Sequence, residues 1–330
     1  MRAFYLCLGL GSCGLLLPAC GGDAPTSRGD EPASHAEAQA REPAQPPAAA
    51  LERIEIQTPT FTFNARAAGP EDGELVLLLH GFPESSYQWR HQIKALAEAG
   101  YRAVAPDQRG YCPTARPSSV DDYKVLTLAN DVLDIAKALG VERFHVVGHD
   151  WGGGVAWALA RLSPDHILSL TAVSTPHPDA FNAGLRDKSS CQYQASAYFD
   201  LFTSAQATDA FLANDRAMLK AFLDCVPPDG MSEILSLVGN REGMDAALNW
   251  YRANIKDRVF DTPKLGAIEV PTLYVWSDGD TVFCRETAEL SAKSVTGPYR
   301  FEVIEGVGHF ISDCAPDRLN ALLLEHLKAH

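Results

Sequence analysis

The chain is 330 residues long, 46% apolar and 21% charged, with a formal net charge of −14. That is enough for one large α/β domain with an insertion, and a separate second fold is not required. The acidic balance, without clusters of Lys and Arg, excludes a nucleic-acid surface and suits an enzyme acting on neutral small molecules.

The chain opens with Arg2 and a mostly apolar run from Ala3 to Leu17, too short and too broken by glycine to span a bilayer. Residues 1–20 therefore read as an export signal. Leu17, Pro18, Ala19 and Cys20, followed by Gly21 and Gly22, resemble the lipobox of bacterial lipoproteins. This makes Cys20 the expected lipidation site and implies a membrane anchor in a bacterial cell envelope; an ordinary cleaved signal near Ala19 is the alternative. Residues 21–50 are rich in Pro, Ala, Gly and acidic residues and cannot bury enough surface to offset the entropy of ordering, so they read as a disordered linker.

Glu52–Gln57 and Phe61–Arg66 are predicted as an opening pair of strands, and the apolar run Leu75–Leu79 as a strand buried on both faces. Alternation follows: a helix over Trp89–Ala99, a strand over Tyr101–Ala105, a helix over Thr127–Leu139, a strand over Phe144–Val147, a helix over Val155–Leu162 and a strand over Ile167–Val173. It stops after Pro176. From His177 to Lys264 the pattern is helical, clearest over Asn182–Phe202 and Asp209–Cys225, with no strong strand run. Alternation resumes with Thr272–Trp276, a helix over Glu286–Ser294, a strand over Arg300–Ile304 and a helix over Asp317–Leu327. The prediction is a mostly parallel central sheet flanked by helices, built from residues 51–176 and 265–330, with a helical cap inserted at 177–264. The site should lie at the C-terminal ends of the strands.

Gly148, His149, Asp150, Trp151 and Gly152 join a strand to a helix where a nucleophile elbow would carry serine. An aspartate there can attack carbon directly, giving an ester on the enzyme that an activated water must hydrolyse. The plainer alternative is an ordinary turn with Asp150 as helix N-cap. His309, between Gly308 and Phe310, follows the last core strand, and Asp280 follows Thr272–Trp276, completing the chain order nucleophile, acid, histidine. His309 would take the proton from water and Asp280 would orient its ring; Asp278 is the competing acid. In the loop His80, Gly81, Phe82, Pro83, the backbone N–H of Phe82 could join that of Trp151 in an oxyanion hole. The same loop also reads as a tight proline turn.

Eight cysteines show no C-x-x-C pair and no Cys/His cluster with zinc spacing, so neither a structural metal nor a cofactor is expected. Beyond the signal, Cys112, Cys191, Cys225, Cys284 and Cys314 admit two pairs, Cys191 with Cys225 and Cys284 with Cys314, or five free thiols.

Taken together, His80–Ser85, Gly148–Gly152, Leu248–Arg252 and Gly308–His309 resemble the α/β-hydrolase fold and, within it, the epoxide hydrolases with an aspartate nucleophile, over about residues 52–329. The resemblance implies two cap tyrosines that donate to the epoxide oxygen. Tyr251 matches one through Asn249, Trp250, Tyr251 and Arg252. Tyr198 is the candidate for the other, with Tyr193 nearby, and core packing is the plainer role for each. Phe181, Phe199 and Phe202 suggest an apolar substrate pocket. The expected reaction is hydrolysis of a small apolar epoxide to a vicinal diol. The alternatives are a haloalkane or haloacid dehalogenase using Asp150 and His309, and an inactive surface-anchored binding protein. Nothing here sets the oligomeric state.

Overall fold

The computed structural model describes residues 50–330 apart from Asp224 and Thr262. The export signal, Cys20 and all of the linker but residue 50 lie outside the described residues. In chain order come β1 (Glu52–Gln57), β2 (Thr62–Ala68), β3 (Leu75–Leu79), α1 (Arg90–Glu98), β4 (Arg102–Pro106), α2 (Val125–Ala138), β5 (Phe144–His149), α3 (Trp151–Leu162) and β6 (Ile167–Val173). The inserted segment holds α4 (Pro178–Arg186), α5 (Cys191–Ala195), α6 (Phe199–Phe202), α7 (Ala207–Lys220), α8 (Pro228–Val238), α9 (Arg241–Asn254), β7 (Ile255–Lys256) and β8 (Val259–Phe260). The core resumes with β9 (Thr272–Ser277), α10 (Arg285–Leu290), β10 (Tyr299–Ile304), α11 (Ile311–Cys314) and α12 (Pro316–Lys328).

The main sheet has eight strands in the order β1-β2-β4-β3-β5-β6-β9-β10. The pairings β1–β2 and β2–β4 are antiparallel and the rest are parallel. Every residue of β3 is buried, and successive side chains enter opposite layers: Leu75, Leu77 and Leu79 pack on one face, Val76 and Leu78 on the other. The period of two explains why a continuous apolar run suits this position, since both faces are covered by helices. Connections leave β3 and β5 towards opposite edges, so the switch point of the sheet falls between their C-terminal ends, where a crevice is expected.

The segment Asn182–Phe202, predicted as one helix, is divided. α4 ends at Arg186, and Asp187 accepts the N–H and hydroxyl of Ser189, forming a turn before Ser190 caps α5 through the Tyr193 N–H. Such local side-chain bonds compete with helix continuation. The Asp209–Cys225 helix begins at Ala207, ends at Lys220 and is broken inside by an extended Ala213 and by left-handed Asn214, Asp215 and Arg216. The short hairpin β7–β8 was not foreseen.

The cysteines also depart from expectation. Cys191 is bonded to Cys284 and Cys225 to Cys314, while Cys112 is free and buried. The predicted pairs joined cysteines close in sequence, whereas the fold brings each cap cysteine against a core loop 89 to 93 residues away. No described helix is long and apolar enough to cross a membrane.

Candidate active site

β5 ends in a turn that holds Asp150 at φ 51°, ψ −121°, a conformation L residues rarely adopt. Asp150 stands at the N-cap of α3 but makes no side-chain capping bond. Its carboxylate instead accepts the Phe82 N–H at Oδ1, 2.9 Å away. Two glycines permit that approach. A Cβ on Gly81 would lie 2.4 Å from Cβ of Asp150, and one on Gly152 would lie 2.1 Å from the carbonyl oxygen of Leu79.

The loops after β9 and β10 bring the other two groups to the same edge. His309 Nδ1 bonds Asp280 Oδ2 at 2.9 Å, and His309 Nε2 lies 3.6 Å from Asp150 Oδ2. Asp280 Oδ1 accepts the N–H groups of Val282 and Phe283, which fixes its second oxygen towards the ring. Asp278 turns away and accepts the Gly306 N–H. Burial opposes charge on His309, but the Asp280 carboxylate, with hydrogen bonds to Asp150 and Asp280, raises its pKa to about 10. Burial likewise opposes charge on Asp150, yet the bond and charge of His309, aided by the Phe82 N–H, hold its carboxyl below the ordinary carboxylate value. Both shifts favour an imidazolium paired with the Asp150 carboxylate.

A polar network unread in the sequence holds the backbone beneath these groups. The His309 carbonyl accepts the Ser174 hydroxyl at 2.7 Å and lies 3.0 Å from His149 Nε2. Burial, followed by the His309 charge, lowers the pKa of His149 to about 4, so its ring is neutral. With Nε2–H donating to that carbonyl, Nδ1 accepts from Gln88 Nε2 at 2.8 Å. Gln88 also donates to the Ser312 hydroxyl and accepts the Gly81 N–H, so its amide ties the oxyanion loop to the histidine loop. His149 was visible beside Asp150, but nothing in its local sequence distinguishes Gln88.

The cap supplies the opposite wall. Trp250 donates its indole N–H to the Arg109 carbonyl, and Asn254 bonds the backbone of Tyr123 and Val125, so α9 is fastened to core loops on either side of Tyr251. The Tyr251 ring stands edge-on to Phe82 at 5.4 Å and Trp151 at 5.1 Å. Tyr198 lies 6.4 Å from it between ring centres. For both phenols burial, then the Asp150 charge, raises the pKa well above the ordinary value, keeping them proton donors. Tyr193 is packed instead under the Arg258 guanidinium.

Asp150, Trp151, Tyr198, Tyr251, Phe181 and Phe199 line a cavity of about 230 Å³, together with the exposed Leu126 and Leu162. Phe202, expected in this wall, lies behind it, against Phe82, Phe211 and Tyr251. The short helix α6 places its first ring in the cavity and its fourth in the core, a choice that periodicity alone does not make. Trp151 is the first residue of α3, so its N–H is among those with no partner inside the helix.

This fold and site define an α/β hydrolase with an acidic residue at the elbow. The alpha/beta hydrolase fold family matches residues 74–316, and the chain belongs to it. It is an epoxide hydrolase-like member. The chain is 32% identical over 297 residues to epoxide hydrolase A of Mycobacterium tuberculosis, covering 79% of this chain and 92% of that protein. It is 34% identical over 286 residues to the AB hydrolase superfamily protein YfhM of Bacillus subtilis, covering 83% and 96%. The crystal structure of epoxide hydrolase A from Mycobacterium thermoresistibile matches with a TM-score of 0.72 at 27% identity, covering 84% of this chain and 98% of that one.

Proposed function

We propose that the protein hydrolyses a small apolar epoxide to a vicinal diol through an ester on Asp150. The observation that carries this is the placing of the Asp150 carboxylate, held by the Phe82 N–H and beside His309, in an apolar cavity that also presents the phenols of Tyr198 and Tyr251. Asp150 Oδ2 attacks a ring carbon, the carbon–oxygen bond breaks, and the freed oxygen takes a proton from a tyrosine. Two donors suit a leaving oxygen with no metal to neutralise it.

Ester formation removes the negative charge and the acceptor of Asp150 that had raised the His309 pKa. The imidazolium becomes a stronger acid and releases its proton, which returns the tyrosinate to the phenol. Neutral His309, still oriented by Asp280, then takes a proton from water as the water adds to the ester carbonyl. Oδ1, already on the Phe82 N–H, becomes the oxyanion, with the Trp151 N–H as second donor. Collapse expels the diol oxygen as an alkoxide, which takes the proton of the new Asp150 carboxylic acid, so that the diol leaves and the carboxylate and the imidazolium are restored.

His309→Gln tests the scheme. Incubation with styrene oxide should increase the protein mass by one substrate, localised to Asp150, because attack precedes the step that needs the base. An unchanged mass would sink the ester mechanism. Halide release from a haloalkane by the wild-type protein, without diol from styrene oxide, would replace this reading by a dehalogenase.

We also propose export and lipid anchoring through Cys20. The apolar start of the chain supports this, as do two disulfides among the described residues, which suit an oxidising compartment. Mass spectrometry of the mature N-terminus should find a lipidated Cys20; an unmodified first residue would end the proposal.

A further inference from the structure

Val282, Phe283 and Cys284, in the loop that follows Asp280, are engaged by the cap as well as by the site. Phe283 packs 5.6 Å from the His309 ring and 5.1 Å from Phe181 of α4. Its neighbours are taken by α5. Cys284 is bonded through sulfur to Cys191, while its N–H donates to Gln192 Oε1 at 3.0 Å. The Gln192 amide in turn donates to the Val282 carbonyl at 2.8 Å and to the Ser196 hydroxyl at 3.0 Å. Ser196 opens the single turn that ends at Tyr198.

Adjacent residues of one short helix thus grip the acid loop, covalently and by a fully engaged amide, and the same amide reaches forward to the turn that carries a phenol of the pocket. Gln192 is buried, and Gly184 of α4 lies so close that a Cβ there would meet its side chain at 2.9 Å. A five-residue helix has little stability of its own. The position of Tyr198 relative to Asp150 is therefore set by what α5 is fastened to.

Resting on the ester mechanism above, we propose that Cys191, Cys284 and Gln192 form a clasp that positions Tyr198 over Asp150, so that ring opening depends on the clasp. They are positioning residues, acting through Tyr198. Hydrolysis of the ester depends on His309 and Asp280, and Asp280 keeps the N–H groups of Val282 and Phe283 in its own loop. The second disulfide, Cys225–Cys314, ties a different part of the cap to the end of α11 and does not touch α5.

The test is the rate of ester formation with styrene oxide in the His309→Gln protein, followed by quenching and mass measurement. It is repeated with Cys191→Ser/Cys284→Ser and, separately, with Gln192→Ala, which keeps the disulfide and guards against a folding failure of the serine pair. Each should slow ester formation about tenfold or more, as loss of near-attack alignment does. In proteins with His309 intact, decay of preformed ester should stay within about twofold. In a Tyr198→Phe background, Gln192→Ala should add almost nothing, since Gln192 acts only by placing the donor already removed. Equal rates of ester formation with and without the clasp would overturn the proposal, as would full additivity with Tyr198→Phe. Absence of ester in His309→Gln itself would overturn the mechanism and the step assigned to the clasp together.

Discussion

On the core side of the pocket the reacting groups are themselves held by hydrogen bonds in the loops that end the strands, whereas on the cap side the phenols stand among aromatic rings and are held through their neighbours, by the Trp250, Asn254 and Gln192 hydrogen bonds and a disulfide. Asp150, Asp280 and His309 each sit just beyond the end of a parallel strand, and their carboxylates or carbonyls are engaged by N–H groups, Ser174 or His149. Tyr251 and Tyr198 stand on helices joined to the sheet only through loops, within the cluster of Phe82, Phe199 and Phe202. The difference teaches that the two steps proposed above share Asp150 but otherwise draw on different supports. In the proposed mechanism the groups for ester hydrolysis all belong to the sheet edge, whereas ring opening also needs phenols whose placing depends on how the cap is seated.

The sharpest break of that comparison removes the group common to both steps. Asp150→Ala should abolish diol formation, a loss of at least about 10⁴-fold in turnover, and retained activity would remove it as nucleophile. Tyr251→Phe should lower the rate of ester formation by about 10²–10³-fold, as deletion of one preorganised donor does, while leaving ester decay unchanged in single-turnover measurements. Gln88→Ala acts on the core side and should show the opposite split. It strands the Gly81 N–H and the His149 ring, so stability should fall by roughly 1–3 kcal/mol in denaturant titration and ester decay should slow more than ester formation.

A gentler separation comes from pH. In free enzyme the acid limit of kcat/KM is set by Asp150 and should lie below the ordinary carboxylate range, because His309 and the Phe82 N–H hold its pKa down. The limit of kcat reflects His309 in the ester, where the Asp150 charge is gone, and should lie at higher pH. Coincident limits would contradict the sequence of steps proposed. Stability carries the same signature. The His309 pKa is raised from 6.5 to about 10, so its contribution is complete below about 6.5 and is lost as pH rises through 10. Asp280→Asn should flatten that alkaline decline in thermal melts.

Much of the core was legible because its signals are local. Leu75–Leu79 alternates between two packed layers, so an unbroken apolar run could only be a covered strand, and the order Asp150, Asp280, His309 follows from loops after successive strands. Asp280 could be preferred to Asp278, yet the reason it wins, acceptance of two N–H groups in its own loop, is a matter of geometry. The cap was less legible. Its helices are short and meet at angles that periodicity does not encode, so Phe199 and Phe202, three residues apart, could not be sorted into cavity and core. Disulfide partners depend on which loops the cap settles against, and pairing by proximity in the chain failed for both. Gln88 was invisible since a glutamine at the end of a turn has no pattern until three loops converge on it.

The cavity proposed to receive the epoxide is lined mainly by aromatic and aliphatic side chains, among them the exposed Leu126 and Leu162. Reaction changes the guest more than the host: one ring oxygen becomes two hydroxyl groups. An apolar wall offers those hydroxyls few partners, and each one left unpaired costs about 1–3 kcal/mol against water. The same lining that draws substrate from solution therefore favours the more polar product in water, so that turnover runs down a gradient of polarity.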